Sequence, residues 1–276
     1  MSVGAVGKSS HYFAQLFATI RRSAAQLVRP PSHARRAEAA RRLARHALLL
    51  AAIGGVAVVA LMYALDVWEI DLMPPRGTAS LWPVRIVTDF GKAALVLWSL
   101  AAMLLVLAIV SPRWRGTART RLLEFGTHLQ FLFLAVLVPL LAGEVIKWIV
   151  GRGRPFVGGH ANAFNFRHFA GTEAYASLPS AHAITSVALA FAVSAVWPRA
   201  RVPMAIYALL IIGSRLVLLA HHPSDVVAGA VIGIVGAMFI RYWFAARHLG
   251  FEIEPDGAIV PLAAPPKRVA REASAP

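Results

Sequence analysis

Cysteine is absent from the 276 residues, which excludes disulfides and any cysteine-ligated metal within them. Charge is scarce as well: Asp, Glu, Lys and Arg make up 15% of the chain, against about 25% in soluble domains. The scarcer sign is negative, with 13 acids against 28 basic residues and a formal net charge of +15. In a soluble chain such a surplus points to nucleic acid. Here the basic residues cluster beside apolar runs, where orientation in a bilayer explains them better, so no nucleic-acid partner is expected. Hydrophobic residues reach 58% and the mean hydropathy is +0.63. The excess lies in runs of about 20 residues, the length that crosses a bilayer. The fold class that follows is all-α, a polytopic membrane protein surrounded by membrane lipid.

Six spans are legible, at about 47–65, 92–110, 125–150, 181–197, 202–220 and 224–246, giving a membrane domain over 47–246. Residues 1–46 form a basic arm whose Phe13, Leu16, Phe17, Ile20 and Leu27 fit one face of an interfacial helix over 10–28. A disordered basic arm fits the same composition. A secretory signal peptide does not, because its basic region is short and begins at the terminus. The tail over 247–276 is rich in Pro, Ala and Arg and is expected to be disordered. Six spans put both termini on one side. The arm, the loop 111–121, the turn 198–201 and the tail are Arg-rich, which makes that side cytoplasmic. The loops 66–91, 151–178 and 221–223 then face outward. Arg152, Arg154 and Arg167 break the charge rule in the second of these, which suggests a negative ligand there.

Three polar islands fall at outward ends of spans. In the first, Lys147 stands in the last turns of span three and Arg154-Pro155 follows seven residues on. Arg offers a planar donor fork suited to phosphate and Lys a point charge, although both also snorkel to headgroups. In the second, Pro179-Ser180-Ala181-His182 opens span four. A helix start binds anions through its free N–H groups. Ser180 either caps the helix or donates to a phosphate oxygen, and His182 stands where a leaving group could be protonated. The third runs from Ser214-Arg215 to His221-His222-Pro223-Ser224-Asp225. An Asp beside a His holds one tautomer and stabilises its cation. His222 is chemically as able as His221, and spacing favours His221. Glu144 is read as the ion-pair partner of Lys147. The inventory contains no metal cage, and cations around a nucleophilic His with an acid partner describe metal-independent phosphoryl transfer.

Lys147-x6-Arg154-Pro155, Pro179-Ser180-Ala181-His182 and Ser214-Arg215-x5-His221-x3-Asp225 resemble, in order and spacing, the three signature motifs of the type 2 phosphatidic acid phosphatase superfamily. The resemblance covers 125–246. Ala181 departs from it, since Gly is usual there; a helix start tolerates the side chain because φ is negative. The resemblance implies a six-span helical bundle with an outward active site and no cofactor. It also implies that His221 forms a phosphohistidine, that Asp225 orients it, and that His182 protonates the leaving oxygen and later activates water. Lys147, Arg154, Ser180 and Arg215 would hold the phosphate. Arg152 falls on no signature position and is treated as a secondary contact.

A lipid phosphate phosphatase of the bacterial inner membrane, active on the periplasmic side, is the leading expectation. Undecaprenyl diphosphate stands first among substrates, with phosphatidylglycerophosphate, phosphatidic acid and lipid A close behind and nothing in the sequence to separate them. A phosphotransferase would use the same site and is separated only by an acceptor assay. A non-catalytic lipid-binding protein would not need the full motif set, and the soluble haloperoxidases of the superfamily do not fit the apolar spans. Phe156, Phe164, Phe166, Phe169 and Tyr175 in the loop 151–178 either select the substrate or form an interfacial aromatic belt.

Overall fold

The structure is a computed structural model that describes residues 3–155, 157–159 and 161–262. Phe156, the tail from 263 onward and the Lys8 side chain lie outside what is described. Among the described residues nine helices form: α1 (Val3–Val28), α2 (Arg36–Ala64), α3 (Trp68–Leu72), α4 (Trp82–Asp89), α5 (Ala93–Val110), α6 (Gly116–Val150), α7 (Ala181–Val196), α8 (Arg201–Val217) and α9 (Pro223–Ala245).

α2, α5, α6, α8 and α9 lie in the five segments long and apolar enough to cross a membrane. The sixth expected span is α7, which at 16 residues is shorter. Its position explains the length. α7 packs on α6, α8 and α9, and Ala183, Ile184, Ala188 and Ala192 are buried in the bundle rather than turned to lipid. A helix shielded by protein need not match the full hydrocarbon thickness.

Small residues bring α7 and α9 together. A Cβ added to Gly233 would stand 2.7 Å from the Ile184 carbonyl oxygen, and one added to Gly229 would stand 2.6 Å from that of Ser180. Only bare backbones can pack so closely, as in small-residue contacts between membrane helices. This contact sets the start of α7 beside the start of α9, where the second and third polar islands lie.

The arm is helical: α1 exposes Phe13, Phe17 and Ile20 while Leu27 packs on the core. The tail differs from expectation. Up to Leu262 it is ordered, with an antiparallel pair of strands, β1 (Phe251–Ile253) and β2 (Ile259–Pro261). Phe251 and Ile253 alternate inward and are buried, and the Phe251 ring lies 4.8 Å from that of Phe131. Three-residue strands are too short for composition to reveal them.

Candidate active site

α6 ends at Gly151, whose φ of 57° reverses the chain and leads directly to Arg152. A side chain there would collide with the Arg167 carbonyl, whose oxygen lies 1.8 Å from the position of an added Cβ. α7 begins after Ser180, whose amide donates to the Asp225 carbonyl at 3.0 Å and ties the two helix starts. α9 begins after His222 with Pro223 in its first turn, and Asp225 Oδ2 accepts from the His222 amide at 2.9 Å in a capping box. The three islands thus meet at one end of the bundle.

His221 Nδ1 lies 2.9 Å from the Ser177 carbonyl oxygen. A carbonyl only accepts, so Nδ1 carries the proton and Nε2 holds the lone pair of the neutral ring. Burial pushes the His221 imidazole well below its usual pKa, and the charges of Arg215, Arg154 and His182 act in the same direction; the Ser177 carbonyl opposes them. The ring is therefore neutral at pH 7. Asp225 Oδ2 is 3.9 Å from Nδ1, too far for a hydrogen bond. This corrects the expectation that Asp225 holds the imidazole directly. Asp225 Oδ2 instead accepts from the Ser177 hydroxyl at 2.6 Å, so its grip on His221 runs through Ser177.

Arg154, Arg215 and His182 are all near enough to His221 to act on its charge. Arg215 Nη1 donates to Thr88 Oγ1 of α4 at 2.9 Å. Four polar atoms of this group are buried without a partner among the described residues: Ser180 Oγ, His182 Nε2, Arg154 Nε and Arg215 Nε. Ser180 makes no side-chain cap bond to α7, which favours its reading as a donor to an anion. Lys147 is ion-paired with Glu144, as the sequence suggested, and is not among the charges acting on His221. His222 faces the other way: its Nδ1 lies 3.2 Å from the Asp66 carbonyl oxygen, and the charges acting on it are those of Asp225, Arg152 and Asp66. The two cations that converge on His221 do not converge on His222.

Arg152 is the main revision. It is fully buried, and all three of its side-chain nitrogens are bonded. Nη1 donates to Asp225 Oδ1 and to Ser224 Oγ, both at 2.6 Å. Nη2 donates to Asp66 Oδ2 and to the Ala163 carbonyl, both at 2.7 Å. Asp66 closes the network from the end of α2 by accepting from the Ser224 amide and hydroxyl. Arg152, which the sequence reading treated as a secondary contact, is thus the centre of this network, while Asp66, Ser177 and Thr88 are contacts of the candidate site that sequence reasoning missed. The usable signal was the positive charge in the loop 151–178 with one acid just beyond span one. In the loop 151–178, Phe164, Phe166 and Phe169 are partly exposed, while the Arg152 guanidinium carbon lies 6.0 Å from the Phe166 ring centre.

Residues 128–249 match the family described as PAP2 superfamily. A lipid A 1-phosphatase from Rhizobium johnstonii is 31% identical over 175 residues, covering 63% of this chain and 71% of the relative. The chain belongs to the PAP2 superfamily. A lipid A 1-phosphatase from Rhizobium etli is 33% identical over 127 residues, covering 46% of this chain and 55% of the relative. No solved structure matches. As a PAP2 protein the chain is a multi-pass membrane lipid phosphatase. All seven residues assigned from the motifs lie inside the matched segment, whereas Asp66 and Thr88 lie before it.

Glu69 of α3 also lies outside the PAP2 segment. It is 4% exposed, and among the described residues neither carboxylate oxygen has a partner. Burial, then the charges of Asp66 and Asp225, push its pKa up from 4.5 to about 7. The folded state therefore keeps this proton to higher pH than the unfolded chain, so stability falls as pH rises from about 4.5 through about 7. Glu69→Gln carries no such proton. Its stability relative to the parent should rise between pH 5 and pH 8, by a difference on the order of 3 kcal/mol. Unfolding midpoints in detergent at the two pH values check this; a difference independent of pH would rule it out.

Proposed function

We propose that this PAP2 protein removes phosphate from lipid A in the bacterial inner membrane, with the site facing the periplasm. One observation carries the reading: Arg154, Arg215 and His182 act on the charge of a neutral His221, and each of them, with Ser180 at the start of α7, has a buried polar side-chain atom without a partner among the described residues. His221 Nε2 attacks phosphorus and the bond from phosphorus to the lipid oxygen breaks. His182 gives the departing oxygen its proton. Water then attacks the phosphohistidine, His182 takes the water's proton, and the P–N bond breaks to release inorganic phosphate. Arg154, Arg215 and Ser180 hold the equatorial oxygens, while Lys147 stays paired with Glu144 on α6. None of these steps requires a metal. Asp225, through Ser177, keeps His221 in the attacking tautomer.

The periplasmic orientation rests on the Arg-rich segments at the opposite end of the bundle. Both relatives carry lipid A in their names, which moves lipid A ahead of undecaprenyl diphosphate. Phosphate release from purified protein should be fastest with lipid A in a panel that includes undecaprenyl diphosphate, phosphatidylglycerophosphate and phosphatidic acid. The product should lack the 1-phosphate, and a chelator should leave the rate unchanged. Faster turnover of another lipid overturns the substrate, and chelator inhibition reversed by Mg²⁺ overturns the metal-free mechanism. Phosphate recovered on an added lipid or sugar acceptor instead of in solution would make the protein a phosphotransferase.

A further inference from the structure

At the end of the bundle opposite His221, α7 and α9 finish and α8 begins. A cavity of about 540 Å³ opens there between these three helices. Its walls are apolar, with Val187, Phe191, Leu209, Ile212 and Ile234 among them, and Arg201 and Arg241 also line it. Arg201 is the first residue of α8, and Arg241 is about one turn from the end of α9. The Arg241 guanidinium carbon lies 5.0 Å from the Phe191 ring centre. Among the described residues Arg241 has no acidic partner and its Nε is buried without a hydrogen bond. The nearby Arg42 is committed to Asp256 at 2.9 Å, and the charges of both Arg42 and Arg201 act on Arg241. Placing an unpaired guanidinium beside two like charges inside a membrane helix is costly unless an anion meets it.

We infer that this groove binds an anionic glycerophospholipid of the leaflet opposite the catalytic site, with one acyl chain between α7, α8 and α9 and the headgroup phosphate between Arg201 and Arg241. Arginine suits a phosphodiester because its fork donates to two oxygens at once. The apolar walls select a lipid over free phosphate, and the unopposed positive charge selects an anionic headgroup over a zwitterionic one. The site is separate from the phosphatase centre and does not depend on which lipid that centre hydrolyses.

The test is the unfolding midpoint of the full chain in detergent, titrated with phosphatidylglycerol, phosphatidylcholine or inorganic phosphate. Phosphatidylglycerol at roughly a hundredfold excess over its dissociation constant should raise the midpoint by about 5 °C, with little change from the other two. The R201Q/R241Q double variant should lose that rise while keeping phosphatase turnover. Ala205→Trp, which fills the groove and spares both arginines, should lose it too and serves should the double variant not fold. An equal rise with phosphatidylcholine or with inorganic phosphate overturns the inference, as does a full rise in either variant. Turnover on lipid A is measured on the same samples, so failure here is distinct from failure of the proposed activity.

Discussion

Replacing His221 with alanine should reduce phosphate release by roughly 10⁴- to 10⁶-fold, the scale seen when an enzyme loses its covalent nucleophile. Folding should survive. Among the described residues the ring's only hydrogen bond is from Nδ1 to the Ser177 carbonyl, and losing one such bond costs about 1 kcal/mol. The loss in rate would come from chemistry, because the neutral Nε2 lone pair has no substitute. His222 is adjacent but bonded toward Asp66, so it should not rescue the variant. A companion experiment identifies the intermediate. With a substrate whose leaving group departs without a proton, His182→Ala should still form the phosphohistidine but lose the base that activates water. Labelled phosphate should then remain on the protein at His221, stable in alkali and labile in acid. Turnover of His221→Ala within tenfold of the parent would remove the nucleophile assignment. Label found on His222 would reassign it.

The bundle and most of the candidate site were legible because their signals are local. A run of apolar residues reports a span without knowledge of its neighbours, and the three motifs each sit within a few residues of one helix end. What was not legible depends on contacts between distant segments. Asp66 reads as one acid in a mixed loop; only the packing of α2 against α9 brings it to Ser224 and Arg152. Thr88 looks like an ordinary helix residue until α4 docks on α8 and presents it to Arg215. Ser177 acts through both its carbonyl and its hydroxyl, and no residue type announces a main-chain role. The role of Asp225 was half visible. Its spacing from His221 is right for a partner, but sequence spacing cannot distinguish a direct bond from one relayed by Ser177.

Arg152 is where this relay can be tested. It is fully buried between two carboxylates that are themselves fully buried. Removing the cation from such a group leaves uncompensated charge, which typically costs 3–5 kcal/mol. Arg152→Met should therefore lower the unfolding midpoint strongly. Arg152→Lys keeps the charge but cannot reach Asp66, Asp225 and the Ala163 carbonyl together from a single point. In that variant Asp225 should relax, and with it the Ser177 contact that aims His221. A misplacement near 1 Å at a reacting group costs about a hundredfold, so kcat should fall on that scale. KM should stay near the parent value, since Arg154, Arg215 and Ser180 still meet the phosphate. Asp66→Asn removes one of the two anions and leaves Arg152 paired to Asp225. It should fold better than Arg152→Met and lose less of kcat than Arg152→Lys. A purely structural Arg152 would lower the yield and midpoint of these variants but leave kcat per folded molecule intact, so that result would break the proposed line from Arg152 through Asp225 and Ser177 to His221.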